Sequence, residues 1–263
     1  MQRQKPKLGQ NFLVSPTAQA AIVDALGDVR ERTVVEIGPG RGAITAMLAT
    51  RAKRLVAIEL DRELAAQLRR EFAERGPVEI VEQDVLTTDF ATLRMGEEKL
   101  AVVGNLPYYI TSEILLRLFR FGGEVERAVV MVQREVADRL AAHPGTRDYG
   151  VLTVTAQMNA RVEKLMTLPP GVFAPPPKVD STVVRLTMAP RFEELGVEAE
   201  EFFKFVRACF AQKRKMLGKN LRNAGFKGER VQAALGAVAI PEQARAEEVS
   251  VEKLAALWRE LKG

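Results

Sequence analysis

The chain has little of the residues on which many catalytic sites depend. Its 263 residues include one cysteine, Cys209, and one histidine, His143. A single cysteine excludes an internal disulfide and a metal site built from several cysteines. His143 stands before Pro-Gly, which indicates a surface turn. We therefore expect neither Ser–His or Cys–His catalysis nor a bound metal.

Long apolar runs are also missing. No segment approaches the roughly 20 apolar residues that span a bilayer. The opening Met-Gln-Arg-Gln-Lys-Pro-Lys lacks the apolar stretch of a signal peptide. We therefore expect a cytoplasmic, monomeric protein with no membrane partner. The hydrophobic content of 47% is sufficient for a packed core, and the length predicts a large domain with a smaller one.

Positive charge is concentrated in two places. No acidic residue precedes Val23, whereas residues 204–230 hold nine basic residues and one acidic residue. Polyanionic RNA is the partner that fits these runs, because each neutralised phosphate releases counterions. A solvated helix face is the alternative for either run. The candidate RNA-binding residues are Arg3, Lys5, Lys7, Lys213, Arg214, Lys215, Lys219 and Arg222.

Strands and helices alternate over the first half of the chain. The predicted strands, all short apolar runs, are residues 33–37, 54–59, 78–81, 100–104 and 128–132. The predicted helices between them are residues 16–26, 43–51, 61–74, 111–121 and 133–141. This alternation predicts an α/β, Rossmann-like domain with a mainly parallel sheet, which binds ligands at the carboxyl ends of its strands.

The second half has a different pattern. Residues 151–157 and 181–187 are rich in β-forming residues with no helix between them, which predicts an antiparallel pair at the sheet edge. The composition changes near Ala189, after which helices predominate. We therefore predict a domain over residues 1–189 and a small helical domain over residues 190–263.

A glycine-rich segment follows the first predicted strand. Residues 36–42 are Glu-Ile-Gly-Pro-Gly-Arg-Gly, in which Gly38 and Gly40 allow backbone to approach a ligand closely. The spacing departs from the dinucleotide fingerprint, because one residue rather than two precedes the third glycine. Alone, this segment is compatible with a cofactor loop or a tight turn.

The next three strands each lead into a polar residue. Glu59 is suited to accept hydrogen bonds from both hydroxyls of a ribose, and Asp84 from an adenine amino group. Asn105 follows the fourth strand, where a methyl acceptor would lie. S-adenosylmethionine fits this order better than NAD, which does not explain the residues after Asn105.

Asn105 begins the sequence Asn-Leu-Pro-Tyr. The side-chain oxygen of Asn105 and the backbone carbonyl of Leu106 are suited to accept the N–H groups of a planar amine. Pro107 has a fixed φ that helps to aim this carbonyl, and Tyr108 is suited to stack on a flipped-out base. The alternative is a strand-to-loop turn in which Tyr108 covers the core.

Four motifs together carry a resemblance to a known family. Residues 10–13, 36–42, 105–108 and 173–181 resemble signatures of the rRNA adenine N6-dimethyltransferases, most closely the bacterial small-subunit branch. The resemblance implies a class I methyltransferase domain with a basic N-terminal segment, followed by a helical domain that binds RNA or the ribosome. It also implies dimethylation of two adjacent adenosines in a hairpin near the 3′ end of small-subunit rRNA, within an assembling subunit.

The same resemblance implies roles for individual residues. Asn11 and Leu13 would close over the cofactor, Gly38 would lie beneath its methionine part, and Asn105 would line both cofactor and target. Gln10 and Asn11 alternatively cap the following segment. Phe173 would pack on the target adenine opposite Tyr108, with core packing as the alternative.

Two other functions remain compatible with the sequence. The chain could act chiefly as a non-catalytic assembly factor for the small subunit. It could also methylate adenine in large-subunit rRNA or in DNA.

Overall fold

The computed structural model describes residues 11–263. The predictions for Arg3, Lys5, Lys7 and Gln10 lie outside the described residues. The chain divides into two compact units. The first comprises the residues up to Ala137 together with Val162–Met188, and the second comprises Asp138–Arg161 and Ala189–Gly263.

Two sheets are present in the described residues. The strands are β1 (Phe12–Leu13), β2 (Thr33–Ile37), β3 (Arg54–Glu59), β4 (Val78–Glu82), β5 (Leu100–Asn105), β6 (Val125–Gln133), β7 (Ala160–Leu168), β8 (Phe173–Ala174) and β9 (Ser181–Met188). Seven strands form one sheet in the order β4-β3-β2-β5-β6-β9-β7. Its strands from β4 to β6 are parallel, and β9 is antiparallel to β6. A small antiparallel sheet joins β1 to β8.

Burial accounts for the parallel part of the large sheet. Every residue of β2 is buried, and in β3 only Arg54 is partly exposed. Nearly continuous burial is typical of parallel strands that are covered on both faces. The predicted mainly parallel α/β fold with an antiparallel edge region is confirmed.

The helices in residues 11–263 are α1 (Pro16–Ala25), α2 (Thr45–Leu48), α3 (Arg62–Glu71), α4 (Thr111–Arg120), α5 (Arg134–Leu140), α6 (Val151–Asn159), α7 (Ala199–Cys209), α8 (Leu217–Asn223), α9 (Gly228–Ala237) and α10 (Val251–Lys262). Ser15 caps α1 and Asp61 caps α3, as their sequences predict. The helix predicted over 43–51 is shorter because its last residues form a turn, in which the N–H of Arg51 bonds to the carbonyl of Leu48.

The prediction of a strand over residues 151–157 is wrong. These residues belong to helix α6, and the strand that follows is β7. Their β-branched residues favour a strand locally, but Thr153, Val154 and Thr155 are all buried in the helix. The hydroxyl of Thr155 donates to the carbonyl of Val151 at 2.8 Å, so its polar group is satisfied within the helix. Tertiary packing therefore overrides the local preference.

The predicted domain boundary requires a related correction. Residues 138–161 belong to the second unit, although we predicted a first domain that extends without interruption to residue 189. The reason is the apolar core of the second unit, to which Tyr149, Val154 and Met158 contribute together with Phe202 and Leu254. Two segments separated in sequence thus share this helical core.

No helix within residues 11–263 combines the length and apolar character that a bilayer crossing requires. His143 lies in an exposed turn, as predicted, and Cys209 is buried as a free thiol. Burial raises the pKa of the Cys209 thiol well above its ordinary value. The Cys209 thiol is therefore not available as a reactive nucleophile.

Candidate active site

The carboxyl ends of β2, β3, β4 and β5 open onto one cavity of about 370 Å³ in the first unit. Parallel strands bring their ends to one edge, so residues far apart in sequence meet there. The sequence-predicted residues that line this cavity are Asn11, Leu13, Gly38, Gly40, Glu59, Asp84, Asn105, Leu106, Pro107 and Tyr108.

The glycine-rich segment forms the wall after β2. Gly38 and Gly40 have φ of +66° and +60°, a region that side chains rarely adopt. A Cβ on Gly40 would lie 3.0 Å from the ring of Phe12. The Arg41 guanidinium also lies over this ring, 4.6 Å from its centre. Glycine at position 40 is therefore needed both for conformation and for space.

Glu59 at the end of β3 is held rigidly. Its side chain is 3% exposed, and its two oxygens accept hydrogen bonds from the N–H groups of Gly40 and Asp61, each at 3.0 Å. Burial raises the pKa of Glu59, and these backbone hydrogen bonds oppose the rise. A carboxylate can accept about four hydrogen bonds, so Glu59 retains capacity to accept ligand hydroxyls.

Glu36 is a second buried carboxyl group that lines the cavity. It belongs to the glycine-rich motif, but no role was predicted for it from the sequence. Its side chain is 2% exposed, and the Thr45 hydroxyl donates to its Oε2 at 2.7 Å. Burial raises the pKa of Glu36 to about 7, with a smaller contribution from the charge of Glu59. An acidic residue inside an apolar strand was the signal that could have identified it.

Asp84 follows β4 and is half-buried. The N–H of Leu86 donates to its Oδ1 at 2.8 Å, and the hydroxyls of Thr87 and Thr88 donate to its backbone carbonyl, each at 3.0 Å. These bonds hold the turn and orient the Asp84 side chain at the cavity wall.

The orientation of the Asn105 amide follows from its partner. The Nδ2 of Asn105 donates to the backbone carbonyl of Asn11 at 2.8 Å. Because a carbonyl only accepts hydrogen bonds, the amide nitrogen must face Asn11 and the Oδ1 is the acceptor that remains. The N–H of Leu106 donates to the carbonyl of Met131 at 3.0 Å, which anchors the next residue to β6.

Tyr108 and Tyr109 both line the cavity. The hydroxyls of Tyr108 and Ser181 form a hydrogen bond of 2.7 Å, and Ser181 is fully buried at the start of β9. This hydrogen bond holds the hydroxyl end of the Tyr108 ring in place. Tyr109 is 59% exposed and was not singled out in the sequence. An aromatic ring next to an expected stacking residue was the available signal.

Phe173 is the residue that the resemblance predicts to pack on the target adenine. It is not among the residues that line the cavity, and its side chain is 4% exposed. In the β1–β8 pair it faces Leu13, and both residues belong to an apolar core that includes Met131 and Val183. The structure therefore supports core packing, the alternative left open by the sequence.

The basic stretch of the second unit comprises Lys213, Arg214, Lys215, Lys219 and Arg222, and all five side chains are exposed. The first three lie between α7 and α8, and the other two lie three residues apart on α8. The Lys213 ammonium donates to the carbonyl of Arg147 at 2.6 Å. This stretch offers closely spaced cations to an anionic partner.

The carboxyl groups on the cavity wall indicate the charge of its ligand. Glu36, Glu59 and Asp84 place three carboxyl groups on its wall. A pyrophosphate would meet like charge there, whereas a cationic nucleoside with free hydroxyls would meet acceptors.

A family model and a related protein both match nearly the whole chain. The family model described as Ribosomal RNA adenine dimethylase matches residues 1–262. The ribosomal RNA small subunit methyltransferase A of Acidobacterium capsulatum is 62% identical over 98% of this chain and 92% of its own length.

Two solved structures share the fold. A dimethyladenosine transferase from Plasmodium falciparum is 23% identical, with a TM-score of 0.81 over 95% of this chain and 97% of that chain. The 23S rRNA methyltransferase ErmE is 29% identical, with a TM-score of 0.73 over 96% of this chain and 100% of that chain.

Proposed function

The chain belongs to the ribosomal RNA adenine dimethylase family, and on that premise we propose its substrate, cofactor and chemistry. It transfers methyl groups from S-adenosylmethionine to the N6 amines of two adjacent adenosines in a hairpin near the 3′ end of small-subunit rRNA. The acceptor is an assembling small ribosomal subunit. The identity of 62% to a small-subunit methyltransferase supports this choice of RNA.

The observation that carries the proposal is the order of groups along one cavity wall. In the sheet order β4-β3-β2-β5, the strand ends present Asp84, Glu59, the glycine backbone and Asn105 in turn. S-adenosylmethionine offers an adenine amine, a ribose and a methionine part whose sulfur carries the transferable methyl group, in the same order. The cofactor therefore fits this wall from Asp84 to Asn105 without a pyrophosphate that would face the carboxyl groups.

When bound, S-adenosylmethionine supplies an electrophilic methyl group. The protein's task is to hold the target amine in line with it, because an adenine amine is a weak nucleophile. The Asn105 Oδ1 and the Leu106 carbonyl accept the two N–H groups and stabilise the positive charge that develops on nitrogen. Alignment rather than proton transfer by a side chain accounts for most of the rate.

Tyr108 and Pro107 complete the acceptor site. The Tyr108 ring, fixed through the 2.7 Å hydrogen bond to Ser181, stacks on the flipped-out base. Pro107, with φ of −59°, aims the preceding carbonyl. After one transfer a single N–H remains, so the amine turns to present its lone pair to a second cofactor.

The second unit contributes RNA affinity in this proposal. The exposed cations of the basic stretch neutralise phosphates and hold the subunit while the base enters the cavity. Phosphate contacts set position and orientation, and the fit of the base around Asn105 sets the reaction.

Two alternatives are less well supported. Likeness to ErmE favours large-subunit rRNA, but its 29% identity is less than half of the 62% shared with the small-subunit relative. A purely non-catalytic assembly role leaves the anchored Asn105 amide without a purpose.

The test is methyl transfer from labelled S-adenosylmethionine into small subunits that lack the modification, followed by mass analysis of the nucleosides. Large subunits and duplex DNA are assayed in parallel. We expect dimethyladenosine at two neighbouring small-subunit sites. Transfer only into large subunits or DNA would contradict the substrate, and binding to small subunits without transfer would favour the assembly role.

A further inference from the structure

Three apolar side chains that line the cavity are also exposed to solvent. Val14, Leu60 and Tyr109 are among its lining residues, yet half or more of the surface of each is exposed. A side chain that both lines a cavity and faces solvent lies at its rim. Leu60 directly follows the proposed ribose ligand, whereas Tyr109 directly follows the proposed stacking residue. Tyr109 is thus an aromatic rim residue at the acceptor end of the cavity.

A tight turn carries the backbone of Tyr109. Tyr108–Ile110 form a short 3₁₀ helix that runs directly into α4. The carbonyl of Pro107 accepts hydrogen bonds from the N–H of Ile110 at 3.2 Å and from the hydroxyl of Thr111 at 2.9 Å. Thr111 is buried. The turn therefore fixes the position from which the Tyr109 ring projects.

The two tyrosines of this turn face different directions. Consecutive side chains of a 3₁₀ helix point about 120° apart. The Tyr108 hydroxyl forms its 2.7 Å hydrogen bond with Ser181, so the Tyr109 ring is directed elsewhere. Within residues 11–263, no hydrogen bond or aromatic pair engages the Tyr109 side chain. One ring is therefore held by the protein, and the adjacent ring is left for a ligand.

The group that fits the Tyr109 ring is the base beside the target. While one adenosine of the pair occupies the cavity, the other is joined to it by one phosphate and must lie close to the rim. An aromatic ring stacks on the face of any base, and stacking requires no charge. It therefore stays favourable beside Glu36, Glu59 and Asp84, whose charges would repel a phosphate.

We propose that Tyr109 is a specificity-determining residue that stacks on the other adenosine of the pair while the target adenosine occupies the cavity. This inference rests on the proposed function. Tyr108 acts on the target base, and Tyr109 acts on its neighbour. The stack holds the pair at the rim, so the site favours an adenosine that has a neighbouring base over one that has none.

The experiment measures methyl transfer into small subunits reconstituted from three rRNAs. One rRNA carries both adenosines. In each of the others, an abasic residue replaces one adenosine, which keeps the sugar and the phosphate but removes the base. Mass analysis of RNA fragments gives kcat/KM at each remaining adenosine for the native protein, Tyr109→Ala and Tyr109→Phe.

With the unmodified rRNA, Tyr109→Ala should lower kcat/KM about tenfold at one or both adenosines, because a base–aromatic stack contributes about this factor. Removal of the neighbouring base should lower the native value by a similar factor. Tyr109→Ala should then cause no further loss, since the two changes remove the same contact. Tyr109→Phe keeps the ring and should match the native protein on all three rRNAs. Affinity for S-adenosylmethionine should be unchanged in both variants.

Leu116→Ala is the matched control, because Leu116 is also half-exposed but lies on α4 and does not line the cavity. It should match the native protein on all three rRNAs. Should Tyr109→Ala fail to bind S-adenosylmethionine, Tyr109→Leu takes its place, since it keeps an apolar side chain without an aromatic face.

Two results would overturn the inference and leave the proposed function standing. One is a native kcat/KM for Tyr109→Ala with the unmodified rRNA. The other is an equal loss with and without the neighbouring base at both adenosines, which would mean that Tyr109 contacts the target or supports the fold. Absence of transfer by the native protein into unmodified small subunits would overturn the proposed function as well.

Discussion

The cavity wall of the first unit and the basic stretch of the second unit use charge in opposite ways. On the wall, Glu36 and Glu59 are 2% and 3% exposed and are held by hydrogen bonds of 2.7 to 3.0 Å. In the basic stretch, Lys213, Arg214 and Lys215 are exposed to water. A buried carboxyl group interacts with one ligand atom at a fixed position. Exposed cations instead attract a polyanion collectively, and salt screens this attraction.

This difference predicts two kinds of mutational effect. Changes to Asn105 and Glu59, the cavity residues that contact the target and the cofactor in the proposal, should be large, specific to one step and insensitive to salt. Changes in the basic stretch should be small for each residue, approximately additive and strongly salt-dependent.

The largest effect is expected for Asn105→Ala. Loss of the Oδ1 acceptor should lower kcat by about 10²- to 10³-fold, similar to loss of one donor from an oxyanion hole. Binding of S-adenosylmethionine should remain measurable. Single-turnover transfer and calorimetry separate these quantities.

Asn105→Asp is the matched variant, because it keeps an acceptor but loses the N–H that bonds to Asn11. Its rate should fall between those of the native protein and Asn105→Ala. Turnover of Asn105→Ala at the native rate would refute the assigned role.

Glu59→Gln should weaken cofactor binding by about 10- to 100-fold, because hydrogen bonds to a charged group contribute about 1.5–3 kcal/mol. Glu82→Gln is the control. Glu82 is the register partner of Glu59 on β4, but it is exposed and does not line the cavity. An unaltered dissociation constant in Glu59→Gln, or an equal loss in the control, would contradict the ribose contact.

Replacing Lys213, Arg214 and Lys215 together by Ala should weaken binding to undermethylated small subunits and reduce the salt dependence. The slope of log affinity against log salt should fall by about 0.7–0.9 for each phosphate that the variant no longer neutralises. The rate at saturating subunit concentration should stay close to native. The measurement is a filter-binding titration over a range of salt concentrations.

The matched control for that triple variant replaces Arg62, Arg69 and Arg70 of α3, which removes the same formal charge from the first unit. If this control lowers the salt slope as much, net charge rather than the basic stretch governs affinity.

The smallest effect is expected for Tyr108→Phe, which removes the hydroxyl that pairs with Ser181 but keeps the ring. The rate should fall about 2- to 10-fold, since one neutral hydrogen bond contributes about 0.5–1.5 kcal/mol. Tyr109→Phe, at a residue 59% exposed, should match the native rate. If Tyr108→Phe lowered the rate as much as Asn105→Ala, the hydroxyl of Tyr108, not its ring, would be the group that acts on the substrate.

The share of the structure that could be predicted from the sequence differs between the two units. Strands such as β2 and β3 were predicted residue for residue, because an apolar run that is buried on both faces determines its own structure. The position of Glu59 at the cavity could also be predicted, because the carboxyl ends of parallel strands lie at one edge of the sheet. Most of the residues that line the cavity could therefore be predicted from the sequence.

The remaining features depend on contacts distant in sequence. Helix α6 has the composition of a strand, and its burial in the second unit's core decides its structure. The side chain of Phe173 is directed into the core by the pairing of β8 with β1. The position of Glu36 on the cavity wall, bonded to Thr45, likewise depends on how α2 packs against β2. Local sequence patterns do not specify such placements.

The proposed chemistry requires that one cavity wall align a methyl donor with a target amine. A crystal structure of the protein with S-adenosylmethionine bound would show this alignment directly. We predict the ribose hydroxyls at Glu59, the adenine amine at Asp84 and the methyl group directed towards Asn105. A cofactor bound elsewhere, or with its methyl group directed away from Asn105, would contradict the proposed chemistry.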